Sequence, residues 1–246
     1  PQQSSLGPRS SAGGSSCSRR TPGVPGIGLS RWSRRWRAAG RERAEKLHRE
    51  KWAGCTIEPP TVKWPADKGY ACFLSHYKAE AGSDARYLRD LLQRMLGCPV
   101  FLDSSDLTDL RALFTDGVHR SDVLVLLATK QLLTRPWCFL ELWEAVKKQI
   151  PIVIMAVRGK GWDIDEACAL LQNIESELPA RNPGALEELF RVIENTSLPE
   201  ITKALQEVLR AAEVHAVAWT PHGTDNQVLA SALDLADRMA ELTSRT

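Results

Sequence analysis

No stretch of 18 apolar residues occurs in the sequence, so it offers no transmembrane helix. The longest apolar run, Ile150 to Val157, has the length of a strand. The six cysteines, at 17, 55, 72, 98, 138 and 168, include no CxxC pair, and none lies near paired histidines. A zinc site and a thioredoxin-like dithiol are thereby excluded, and no metal is expected. Cys72 and Cys138 fall inside expected strand and helix and read as small core residues of a reducing compartment. There is no GxxxxGK[ST], which removes a P-loop, and no GxSxG, which removes a nucleophile elbow. GVPGIG at 23–28 has the glycines of a phosphate loop, but no strand precedes it and no helix follows. Asn195-Thr196-Ser197 is a glycosylation sequon without a secretory signal in view, and is read as chance.

Acidic residues are missing from the first 41 positions; the first is Glu42. Residues 1–51 hold 12 Lys/Arg against three acids, a net of +9, and residues 52–246 hold 20 against 27, a net of −7. The formal total of +2 therefore hides a basic tail on a mildly acidic body. The chain starts at Pro1 rather than Met, as expected of a fragment. Residues 1–30, rich in Ser, Gly, Pro and Arg, have too little apolar surface to order themselves. That composition fits a disordered basic linker in the cytoplasm; the alternative is an organelle transit peptide. Residues 31–51 place Trp32, Trp36, Ala39 and Leu47 on one helical stripe. The segment reads first as a solvated linker and second as a weak membrane contact. Three prolines within 55–66 mark a boundary. The expected division is a tail over 1–66, a body over 67–213 and a C-terminal extension over 214–246 with an amphipathic helix.

In the body the periodicity changes. Tyr70 to Leu74 is a short apolar strand, and Ser83 N-caps a helix marked by Leu88, Leu91, Leu92 and Met95 and closed by Gly97. Pro99 to Leu102 is a second strand, ended by the polar loop Asp103-Ser104-Ser105-Asp106. Leu110, Leu113, Phe114 and Val118 mark a second helix, weakened by Gly117. Val123 to Ala128 and Ile152 to Val157 are further strands, and Pro136 opens a helix running to about Gln149. Beyond Gly159 the pattern is helical over about 163–178, 184–194 and 199–213; 216–219 is a candidate fifth strand and 225–243 a final helix. Strict alternation of helices with continuously apolar strands predicts an α/β fold, a doubly wound parallel sheet of the flavodoxin-like kind.

Ligands of such sheets bind beyond the carboxyl ends of the strands, at the switch point. Three loops converge there: Ser75 to Gly82, Asp103 to Asp109, and Thr129 to Arg135. A phosphoacceptor receiver needs acids after strand one and an Asp ending strand three, where this chain has Ser75-His76 and Ala128-Thr129-Lys130. On the following helix Glu144 has Lys148 four residues on, an ordinary surface pair. Glu141 has no such helical partner; its neighbours are Trp137, Cys138, Glu144 and Ala145. An aromatic ring and a like charge both disfavour its ionised form in a shielded site, whereas periodicity alone makes it a solvated helix glutamate.

FLSHYK at 73–78, VFLDSSDL at 100–107 and LTRPWCFLELWEAV at 133–146 resemble the first-strand motif, the loop after strand two and the WCxxEL helix of the Toll/interleukin-1 receptor homology (TIR) domain. The resemblance covers 70–160 well and 160–213 loosely, and WCxxEL is its most specific part. It implies a flavodoxin-like signalling module that self-associates with other TIR domains. It also implies cleavage of NAD+, as substrate rather than cofactor, to nicotinamide and an ADP-ribose product, with Glu141 as the catalytic carboxylate. By the same resemblance Ser75 and the loop Asp103 to Leu107, Asp106 included, line the substrate site. Apart from the resemblance, Trp137 reads first as core and second as a stacking or water-excluding surface of that site, and Lys78 or Arg135 is either a pyrophosphate holder or a solvated cation. The plant-type Arg-Gly after strand two is absent, with Thr108-Asp109 nearby, and Tyr77 stands where a basic residue is usual, with Lys78 following. His76 reads as structural. Two functions follow, an NAD+ glycohydrolase and a non-catalytic adaptor acting through TIR–TIR contact; a third reading makes the basic tail a tether to a membrane or nucleic acid, although no specific nucleic acid is expected as a partner.

Overall fold

The computed structural model describes residues 64, 68–102, 113–193 and 197–244. All lie in the second of the two units into which the chain divides, Thr56–Thr246. The expected disordered tail falls outside the described residues, Trp64 excepted.

The sheet has five parallel strands in the order β2-β1-β3-β4-β5. They are β1 (Tyr70–His76), β2 (Phe101–Leu102), β3 (Ser121–Ala128), β4 (Ile152–Val157) and β5 (Val217–Trp219). The chain crosses over from one side of β1 to the other between β2 and β3, so the switch point lies between β1 and β3. The helices are α1 (Lys78–Leu96), α2 (Pro136–Lys147), α3 (Ile164–Gln172), α4 (Ile174–Arg181), α5 (Ala185–Val192), α6 (Leu198–Glu213) and α7 (Asp225–Thr243). None of them is long and apolar enough to cross a membrane.

The unbroken apolar strands have the expected physical origin. Val123, Val125 and Leu127 of β3 join a core with α1 and α7, while Leu124, Leu126 and Ala128 join a second core with α2 and the α3–α6 layer. Both faces of a strand are dry, so neither can be polar. α1 closes at Gly97, whose φ of 59° is left-handed and whose N–H bonds Gln93 O. Pro136 opens α2, where a missing N–H costs nothing. Thr224 and Gln227 form a reciprocal capping box on α7.

Several expectations are corrected. α1 starts at Lys78, because a helical turn at Lys78–Glu80 is joined to the rest across the non-helical Ala81 (φ −131°, ψ 16°); Ser83 is internal. The helix expected from Leu110 is, among the described residues, one π turn at Leu113–Val118. The helix expected over 163–178 breaks at Asn173 into α3 and α4. The described residues on either side of 67–213 also make contacts with the sheet. Trp64 is buried, and its indole N–H donates to Asp122 Oδ2 at 2.9 Å. In the 214–246 segment β5 pairs with β4, and α7 buries Leu235, Ala236 and Met239 in the core of α1. Without this segment the edge of β4 and half of one sheet face would be bare.

Gly117 shows how tightly the π turn sits. A Cβ there would lie 2.8 Å from Phe73 Cε2 and 2.9 Å from Phe101 Cε1, two rings stacked at 5.2 Å. Phe73 is fully buried and cannot yield. Gly117→Ala is expected to cost about 1–3 kcal/mol through overpacking, read from the urea midpoint at unchanged slope.

Candidate functional site

β1 outlasts its apolar run by two residues, Ser75 and His76, and these sit at its carboxyl end against Leu126 and Leu127 of β3. Strand alternation places Ser75 on the same sheet face as Phe73, the face that α2 covers. There Ser75 Oγ donates a 2.6 Å hydrogen bond to Glu141 Oε2. The two side chains are buried, with Ser75 1% and Glu141 4% exposed. Glu141 is therefore no solvated helix glutamate, and its carboxyl oxygen accepts a short hydrogen bond. His76 is also buried; its Nδ1 lies 3.4 Å from Leu74 O, and its carbonyl accepts from Cys138 Sγ at 3.4 Å.

The remaining candidates divide. Trp137 is half-buried and packs on the α2-side core. Lys78 is the exposed first residue of α1, three positions beyond Ser75. Asp103, Asp106 and Leu107 lie outside the described residues.

No family model matches the chain, and no curated protein matches it. Among solved structures, the chain is similar to the TIR domains in the structure of the activated Roq1 resistosome directly recognizing the pathogen effector XopQ. The identity is 16%, with 68% of this chain and 98% of that chain covered and a TM-score of 0.44.

Two contacts near the site were not legible in the sequence. The Arg135 guanidinium lies over the Tyr77 ring, 4.0 Å from its centroid. The backbone N–H of Gln131 donates to Glu80 Oε2 at 3.1 Å. Together they hold the β1–α1 turn against the β3–α2 loop. A separate cleft of about 400 Å³, between α3, α4 and α6, carries little chemistry: its Ser176 and Thr202 hydroxyls are satisfied by backbone carbonyls.

Glu144 is a correction. It is buried, and it pairs with Lys147 and, at 2.7 Å, with His119 Nε2, rather than with Lys148. α2 ends at Lys147, so Lys148 lies just past the helix. Burial by itself would raise the Glu144 carboxyl, and the hydrogen bonds from Lys147 and His119 outweigh it, so the group lies below its ordinary value. A lowered carboxylate stabilises the fold above the pKa of the unfolded chain, about 4.3, and ceases to do so as pH falls through the folded value. Glu144→Gln is therefore expected to be less stable than wild type at neutral pH, with the gap closing below about pH 4 in urea melts at stepped pH.

Proposed function

We propose that the chain is a TIR-type signalling module that cleaves NAD+ to nicotinamide and an ADP-ribose product on self-association. The observation that carries this reading is the buried Ser75–Glu141 hydrogen bond at the carboxyl end of β1, beside the switch point where such sheets bind nucleotides. The nicotinamide of NAD+ is already cationic and leaves without a general acid. The step that needs help is the positive charge developing on the ribose, as in glycoside hydrolysis. A carboxylate held in a shielded site stabilises that charge without reorganising. In this reading Glu141 faces the ribose, Ser75 orients the carboxylate, and Trp137 walls off water.

The same burial favours a second reading. With Glu141 4% and Ser75 1% exposed, the pair is closed to substrate as it stands. Either self-association opens it, or the pair is structural and the module is an adaptor that signals through TIR–TIR contact. The experiment is nicotinamide release by the full chain crowded on beads, with wild type compared with Glu141→Gln and Glu144→Gln. Release lost only in Glu141→Gln supports the hydrolase. No release from crowded wild type supports the adaptor.

A further inference from the structure

Among the described residues, three buried side-chain polar atoms have no hydrogen-bond partner: Thr129 Oγ1, Arg135 Nε and Trp219 Nε1. Two of the three fall in one loop, 129–135, between β3 and α2. A buried donor left unpaired is costly, and most costly when it is charged. Arg135 forms no ion pair with any described carboxylate; its guanidinium rests on the Tyr77 ring instead. Arginine normally finds a carboxylate or phosphate for its planar fork of donors.

The position of this cation matters. Arg135 is the N-cap of α2, and Glu141 lies six residues further on, about 9 Å along the axis at 1.5 Å per residue. Tyr77 lies two residues beyond Ser75. The Ser75–Glu141 and Tyr77–Arg135 contacts thus both tie the β1–α1 junction to α2 and its N-cap. Tyr77 caps α1 without a side-chain bond, and the turn behind it, Lys78–Glu80, is set off from the helix by Ala81.

We infer that Arg135 binds the phosphate groups of the dinucleotide, and that in the unliganded chain its guanidinium is parked on Tyr77. The identity of the dinucleotide rests on the NAD+ reading above; the anion site does not. A ring face is a weaker partner than a phosphate, so the parked state is exchangeable.

The test is calorimetric titration of inorganic pyrophosphate into the full chain, alongside KM and kcat for NAD+ on beads. Arg135→Ala is expected to weaken pyrophosphate binding at least about tenfold and to raise KM by a similar factor, with kcat within about threefold. Arg135→Lys keeps the charge without the fork and is expected to fall between the two. Tyr77→Leu keeps apolar bulk but removes the ring face, and is expected to tighten pyrophosphate binding by about threefold. Absent pyrophosphate binding in wild type, or equal binding in folded Arg135→Ala, overturns the inference. Should Arg135→Ala fail to fold, equal binding in Arg135→Lys and Tyr77→Leu overturns it instead. Arg135-dependent pyrophosphate binding without nicotinamide release removes the NAD+ reading and leaves the anion site standing. NAD+ cleavage with an unchanged KM in Arg135→Ala does the reverse.

Discussion

Replacing Glu141 by glutamine is expected to lower nicotinamide release from bead-crowded protein by about 100-fold or more, with the melting temperature shifted by only a few degrees. Glutamine is nearly isosteric, and its carbonyl oxygen can still accept from Ser75 Oγ, so the contact at 2.6 Å keeps its donor. What disappears is the negative charge that would face the ribose. A single group aimed at developing charge in a dry site is worth roughly 10²–10³ in rate. Glu141→Ala is a poorer test, because it strands a hydroxyl that is 1% exposed and so mixes stability with chemistry. Glu144→Gln is the control one turn along the same helix: it loses a carboxylate of equal charge, paired with His119 and Lys147 instead of Ser75. Equal release in all three proteins would remove Glu141 from the chemistry.

Ending the chain at Glu213 is expected to abolish cooperative folding. The deletion removes β5 and α7, and with them Trp219, Val228, Leu229, Ala232, Leu235, Ala236 and Met239, all buried against α1 and the sheet. The large side chains among these contribute about 1.5–3 kcal/mol each, which together matches or exceeds the about 5–15 kcal/mol that holds an ordinary domain. The deletion also bares the hydrogen-bonding edge of β4 from Met155 to Val157, a template for aggregation. Loss of near-ultraviolet dichroism and elution as aggregate are the expected observations. A truncated chain that melts cooperatively at the wild-type temperature would show that 214–246 is dispensable for folding.

That boundary illustrates what the sequence makes legible. β1, β3 and β4 are readable because both their faces are covered, so their apolar runs are unbroken. β5 is three residues long at the sheet edge, so its short run, 216–219, stands out only as a candidate. The early start of α1 is invisible because Tyr77 supplies no capping side chain, whereas Ser83 is a good cap residue that the fold uses inside the helix. Glu141 could be singled out on α2 by its neighbours and by resemblance, but its bond to Ser75 spans 66 positions. The Glu144–His119 contact spans 25 positions and concerns a histidine that belongs to no motif. No local pattern encodes such meetings; topology alone creates them.

The Trp64–Asp122 hydrogen bond has a practical corollary. Asp122 is the second residue of β3, whereas Ser75 pairs with Leu126, four residues up the same strand, or about 13 Å at 3.3 Å per residue. The polypeptide is thus stapled to the sheet at the rim opposite the mouth formed by the strands' carboxyl ends. A pull applied at Trp64 is therefore borne at the amino end of β3, away from the carboxyl ends of the strands.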